Sequence, residues 1–135
     1  MTVASHRVSL CLILYDLIKD CGFELYSLVE DWTKVKRLII CIDSCWKIPP
    51  TVKPPDLCWI DEIHEVIGSL CTLKVKAPGS GLWDVFSTLK RILGQAKRVL
   101  LTSVQADQAV QELCHTCGLV PHFQCNATPL LSHFS

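Results

Sequence analysis

Neither sign of charge predominates in this chain: 13 basic residues stand against 13 acidic ones, for a formal net charge of +0. A neutral chain has no field to steer it to nucleic acid or to an anionic lipid surface, and neither is expected as a partner. No stretch approaches the roughly 18 apolar residues of a spanning helix, so no membrane span is expected. The first residues lack the long apolar core of a secretory leader, because the run Leu10–Tyr15 meets Asp16 at once. Glycine is scarce, with 6 in 135 residues. There is no third glycine at the dinucleotide-binding spacing, no Lys-Ser/Thr pair for a phosphate loop, no HExxH and no GxSxG. No cofactor is expected on these grounds. Low-complexity tracts and residue-level repeats are missing too.

What is present is apolar. Hydrophobic residues make up 50% of the chain and charged ones only 19%, which favours a deeply buried sheet or a face reserved for a partner. Neutrality with this much apolar surface predicts poor solubility alone, and hence a subunit of something larger. The 9 cysteines are odd in number. They are expected to be mostly free, buried thiols in a reducing compartment, cytoplasmic or nuclear. Asn126-Ala127-Thr128 matches a glycosylation acceptor, which carries no meaning in such a compartment.

Four glycines, Gly22, Gly68, Gly94 and Gly118, follow amphipathic runs and precede β-prone ones. The spacing predicts helices over 5–21 with Ser5 as N-cap, over 57–67 capped by Asp56, and over 82–93 and 106–117. It predicts strands near 23–29, 37–43, 70–76, 98–103 and 119–123. Arg37–Asp43, with five consecutive apolar residues, is the central strand. The fold class that follows is α/β: a three-layer Rossmann-like domain with a mostly parallel sheet of four or five strands and helices on both faces. It begins with a helix and lacks an opening strand. Residues 1–124 form the domain, with an exposed proline-rich loop at 46–56, and 125–135 form a partly ordered tail.

Ligands of open α/β sheets sit beyond the carboxyl ends of the strands. That rule selects Asp43, Ser44 and Cys45, then Gly79, Ser80 and Gly81 before a helix, then Thr102, Ser103 and Gln105. Asp43 could accept from a ribose or take a proton, and the glycine pair with a helix N-terminus could hold an anion. Each has a plainer reading: a hydrogen-bonded loop carboxylate, and a strand-to-helix turn with Ser80 as its cap. Cys114-His115-Thr116-Cys117 falls in the last turn of its helix, the wrong end of the dipole for a reactive thiol, and continues the apolar stripe of Ala106, Val110 and Leu113. Core packing is expected there. Zinc held by Cys114, Cys117 and Cys125, with His122, is a third possibility. Trp46 and Trp59 bracket the proline loop, and with Pro54 and Pro55 they are the candidate interaction residues.

The segment from Trp83 to Phe123 (WDVFSTLKRIL, AKRVLLTS, AVQELCHTCGLVPHF) resembles the closing third of Rossmann-like families. Class I methyltransferases end in a similar helix, strand, helix and strand, and N-acetyltransferases that use acyl-CoA have a comparable end. The resemblance implies a fold and carries over no functional residue, since no GxGxG follows the first strand and Leu82-Trp83-Asp84 departs from the acetyltransferase turn. The expected function is a non-catalytic protein–protein interaction module within an intracellular complex. The alternative is a small transferase or nucleotide- or cofactor-binding enzyme with Asp43, Gly79, Ser80, Gly81 and Ser103 at the strand ends.

Overall fold

The structure, a computed structural model, describes residues 1–72, 81–103 and 108–120. Strand β1 (Thr2–Ser5) leads into α1 (Val8–Ile18), and the chain then forms β2 (Glu24–Leu25) and β3 (Leu38–Cys41). A 3-10 helix over Ile42–Lys47 and the proline-rich loop precede β4 (Leu57–Ile60). After it come α2 (Ile63–Cys71), α3 (Leu82–Gln95), β5 (Arg98–Leu101) and α4 (Gln108–Thr116). The five strands lie in the order β2-β3-β1-β4-β5, and all are parallel.

The expected class is therefore present: α/β, with a parallel sheet and helices on both faces. Its opening differs from expectation. Thr2–Ser5 is a buried strand in the middle of the sheet, pairing β3 on one side and β4 on the other. Ser5 closes this strand and does not cap the helix. Arg7 is the N-cap of α1, and no side chain caps that end. Four residues with polar ends are too short to show a period, so only pairing on both sides makes them a strand.

The second difference lies at 57–67. Leu57–Ile60 is a strand, and the helix begins only at Ile63. Ile60, Ile63, Val66 and Ile67 have helical spacing, which hides the break. The break falls at Glu62, with φ 52°, the one non-glycine residue with positive φ among those described. Gly68 and Gly94 do not stop their helices, which run on to Cys71 and Gln95. Gly22 and Gly118 do adopt positive φ, at 83° and 72°. Of the expected strand 23–29, only Glu24–Leu25 pairs, and Tyr26–Leu28 turns into a 3-10 helix. Leu70 and Cys71 end α2, and Leu119 and Val120 belong to no strand; the rest of 70–76 and 119–123 lies beyond Thr72 and Val120, outside the described residues. The tail 125–135 lies outside them as well.

Alternation along the strands sorts side chains between two faces. Ala4, Leu38, Ile40, Cys58 and Ile60 enter the main core with Ile63, Val66, Val85, Leu89 and Leu93 from α2 and α3. Ile39 and Cys41 face the other way and form a smaller cluster with Cys11 of α1 and Leu25. Burying one such aliphatic side chain contributes roughly 1.5–3 kcal/mol, so the α2–α3 face carries most of the stability. The order in which the chain adds strands reverses between β1 and β4, while every strand keeps the same direction. The connection from β1 runs through α1 on one face towards β2, and the connection from β4 runs through α2 and α3 on the other towards β5.

Candidate functional site

The carboxyl ends of β1, β3, β4 and β5 bring Ser5–His6, Asp43–Ser44, Asp61–Glu62 and Thr102–Ser103 to one edge of the sheet. The β4–β5 half of that edge is latched. The indole Nε1 of Trp59 donates to Thr102 Oγ1 at 3.0 Å, and Thr102 Oγ1 donates to an Asp61 carboxylate oxygen at 3.1 Å. The backbone N–H of Ile63 closes the corner on the Thr102 carbonyl at 3.0 Å. Trp59, a candidate interaction residue, is half-buried and held at this latch.

The β1–β3 half is polar and incompletely paired. Among the described residues, the buried atoms Ser5 Oγ, His6 Nδ1 and Asp43 Oδ1 have no hydrogen-bond partner. Such atoms are uncommon in folded proteins and gather where water, a ligand or chemistry is handled. Ser5 stands opposite Cys41 in the β1–β3 register. Cys41 shares a buried cluster with Cys11 of α1, and Tyr26 packs against it. The neighbouring Cys41 thiol holds the Cys11 thiol below its ordinary range, assisted by the Ser5 backbone. Cys41 is pushed upward, first by the neighbouring Cys11 and then by burial and the nearby Asp43 carboxylate. Burial pushes the Tyr26 phenol up.

The strand-end candidates are only partly brought together. Asp43 is half-buried at the end of β3. Gly81 is the N-cap of α3, and the first turn of that helix reaches the same layer, where the Cys45 thiol donates to the Val85 carbonyl at 3.4 Å. Ser103 follows β5, which is separated from β3 by both β1 and β4. Gly79 and Ser80 lie outside the described residues. The β1–α1 junction consists of His6 and Arg7 alone. Two residues without glycine cannot wrap a phosphate as a phosphate loop does.

The opposite, amino-terminal edge of the sheet holds a cavity of about 310 Å³, lined by Pro54, Pro55, Lys53, Trp32 and Arg91 among others. Pro54 and Pro55 are half-buried at its wall. Trp46 packs against the main core, with the Lys47 ammonium 5.8 Å from its ring centroid. Cys114 and Cys117 are buried in the core, and burial raises both thiols. No group of three or more His, Cys, Asp or Glu among the described residues could hold a metal ion, and Cys125 and His122 lie outside them.

The largest departure from the sequence reading is a surface. Helix α1 is apolar on nearly every side, which predicts packing on more than one face. Only Cys11 is fully buried. Val8, Leu12, Ile13 and Leu17 are 50%, 48%, 56% and 73% exposed. On the same side of the sheet α1 contacts β1, β2 and β3. The register places Trp59 and Leu100 on that side as well, with Leu57, and Leu100 is 47% exposed. One signal for this surface was legible beforehand: the run Leu10–Leu14 has no polar face to give to water. Comparison with protein-family models, with curated protein sequences and with solved structures finds no match for this chain.

Proposed function

We propose that this chain is a protein-binding module whose docking face is the outer side of α1 together with the adjoining half of the sheet. The observation that carries the reading is the exposure of Val8, Leu12, Ile13 and Leu17 on one short helix. Contiguous apolar surface of this kind is characteristic of interfaces. Its shape selects the occupant. Among the described residues no helix lies over β4 and β5 on this side, and the strip is two strands at about 4.8 Å each, so it is about 10 Å wide, the diameter of one helix. Trp59, Leu57 and Leu100 form its floor and α1 forms one wall. The partner is an amphipathic helix of another protein, lying beside α1 with its apolar stripe on that floor, and a flanking acidic residue would meet exposed Arg98 at the rim.

The test starts from the full chain and a displayed library of amphipathic helical peptides. Selected peptides should protect α1 and β4 amides from hydrogen exchange and change Trp59 fluorescence. Binding should fall at least tenfold in the Leu12→Glu, Leu17→Glu double variant, both positions being exposed. Selected peptides that map to another surface, or binding untouched by the double variant, would overturn the reading. Thermal stabilisation of the chain by nucleotides, acyl-CoA or S-adenosylmethionine would favour the transferase alternative at the strand ends.

A further inference from the structure

The cavity at the amino-terminal edge of the sheet has an apolar wall and a cationic lining. Its floor is the start of β1 and β3, where Thr2 stands opposite Leu38 in the register. The Met1 nitrogen donates to the Lys36 carbonyl at 2.7 Å, and the Leu38 N–H donates to the Met1 carbonyl at 2.9 Å. Trp32, Val35, Ile48, Val52, Pro54 and Pro55 supply the wall, all of them buried or half-buried. Local hydrogen bonds hold this wall open. Asp31 caps the single turn Trp32–Lys34, its carboxylate accepting from the Thr33 N–H at 3.0 Å and from the Thr33 hydroxyl at 2.6 Å. The Val52 N–H donates to the Pro49 carbonyl at 3.1 Å, and Pro49, Pro50, Pro54 and Pro55 fix φ along that loop. The charges are one-sided. Lys36, Lys53 and Arg91 line the cavity, and among the described residues no carboxylate is ion-paired to any of them. Asp56, the one carboxylate among the described lining residues, is engaged by Lys97 at 3.5 Å. Arg91 is half-buried, and its Nη2 donates to the Ile48 carbonyl at 3.4 Å, which anchors the guanidinium at the wall.

We propose that this cavity binds a small organic acid, an apolar body of one or two rings carrying a single carboxylate, with Arg91 as the carboxylate's anchor. A volume of about 310 Å³ stands at the lower end of small-molecule sites and, at about 30 Å³ per water, holds roughly ten waters. That is room for one bicyclic molecule and too little to enclose a dinucleotide or an acyl-CoA. An apolar body that displaces those waters from Trp32, Val52 and the proline rings supplies affinity. The lining charge selects the sign of the ligand. The planar guanidinium meets a carboxylate through two parallel N–H···O bonds, and the exposed Lys36 and Lys53 add attraction. Arg91, Ile92 and Gln95 belong to the end of α3, where the helix dipole brings about half a negative charge. Three full cations outweigh it. No helix N-terminus among the described residues lines the cavity to add the N–H donors that a doubly charged phosphate would need, so a monoanion fits better. No residue of α1 lines the cavity, so the site stands whether or not the outer face of that helix binds a partner.

The experiment titrates the full chain with naphthalene-2-carboxylate and with its primary amide, which is matched in shape and uncharged, and follows backbone and indole N–H signals by NMR. The acid should bind with a dissociation constant on the order of 0.1 mM and shift the signals of Trp32, Val35 and Val52. The amide should bind roughly tenfold more weakly. Arg91→Gln should weaken the acid roughly tenfold and leave the amide within about twofold, whereas a damaged fold would weaken both alike. The Lys36→Gln, Lys53→Gln double variant changes only exposed positions and should weaken the acid about threefold. The Leu12→Glu, Leu17→Glu chain should bind the acid as the parent does, which separates this site from the docking face. The proposal is overturned by equal affinity for acid and amide, by shifts that fall on α1 instead of the cavity wall, or by no saturable shift at any soluble concentration. Acid affinity unchanged in both the Arg91 variant and the double lysine variant overturns it equally.

Discussion

Glu62 shows how a single backbone angle decides local structure. It holds φ 52° between β4 and α2, a conformation in which a side chain crowds the following carbonyl at a cost of about 1–2 kcal/mol. Glu62→Asn should raise stability by about 0.5–1 kcal/mol in urea unfolding, because asparagine tolerates this region. Glu62→Val should lower it by more than 1 kcal/mol, because β-branching does not. Nothing in the residue type announced that angle, which is why strand and helix were read as one element. Thr102 offers a second test. Its hydroxyl accepts from Trp59 and donates to Asp61, so Thr102→Val leaves both without that partner. The expected loss is about 1–2 kcal/mol, with a change in tryptophan emission that a loss of packing elsewhere would not produce. Asp43 was legible as a strand-end carboxylate from the run before it. Its thiol neighbour Cys11 was not, since 32 residues of chain separate the two.

At the scale of the element, α1 is the part least explained by its own core. It buries one residue fully, and its N-cap is Arg7 with no capping hydrogen bond. Arg7→Ser would supply an oxygen to the free N–H groups of the first turn and should add about 1 kcal/mol, read as a shift in the urea midpoint with an unchanged slope. By contrast α3 was legible almost residue by residue. Val85, Leu89, Ile92 and Leu93 are its buried side, as their spacing indicates, whereas Leu82 at the start of the same stripe is 50% exposed and Trp83 78%. The difference is physical: a helix pinned between sheet and solvent shows a clean period, whereas a helix apolar on all sides shows none. Strand β1 was missed for a related reason, since four residues paired on both edges need no alternation.

For the whole molecule, the distribution of thiols sets the response to alkali. Burial raises Cys45 and Cys58 to about 12 in the folded chain, from an ordinary 9.0 when unfolded. Below pH 9 both states hold these protons and stability is unaffected. Between pH 9 and 12 the unfolded chain loses them first, so stability falls, by up to about 1.4 kcal/mol per pH unit for each thiol. Denaturation monitored by circular dichroism should therefore steepen above pH 9. Cys58→Val, close in volume and without a titrating proton, should shallow that slope by up to about 1.4 kcal/mol per pH unit. The same layout divides the molecule into a well-packed face under α2, α3 and α4 and a thinly covered face under α1, and the apolar excess of the composition emerges on the second.

The amino-acid sequence by itself determined the class of fold, the existence of the fully buried apolar strand Leu38–Cys41 though not its place one strand from the centre, the terminating left-handed glycines Gly22 and Gly118, and the burial of the Cys114–Cys117 pair, because each of these rests on local period or local backbone freedom. Only the tertiary structure decided that Thr2–Ser5 lies at the centre of the sheet, that Cys11 meets Cys41, and that α1 leaves its aliphatic side chains uncovered. Those outcomes depend on which strands become neighbours and on how many helices each face receives. Hydrogen bonds between distant segments settle the first, and the direction of each crossover settles the second; neither is written in any short run of residues.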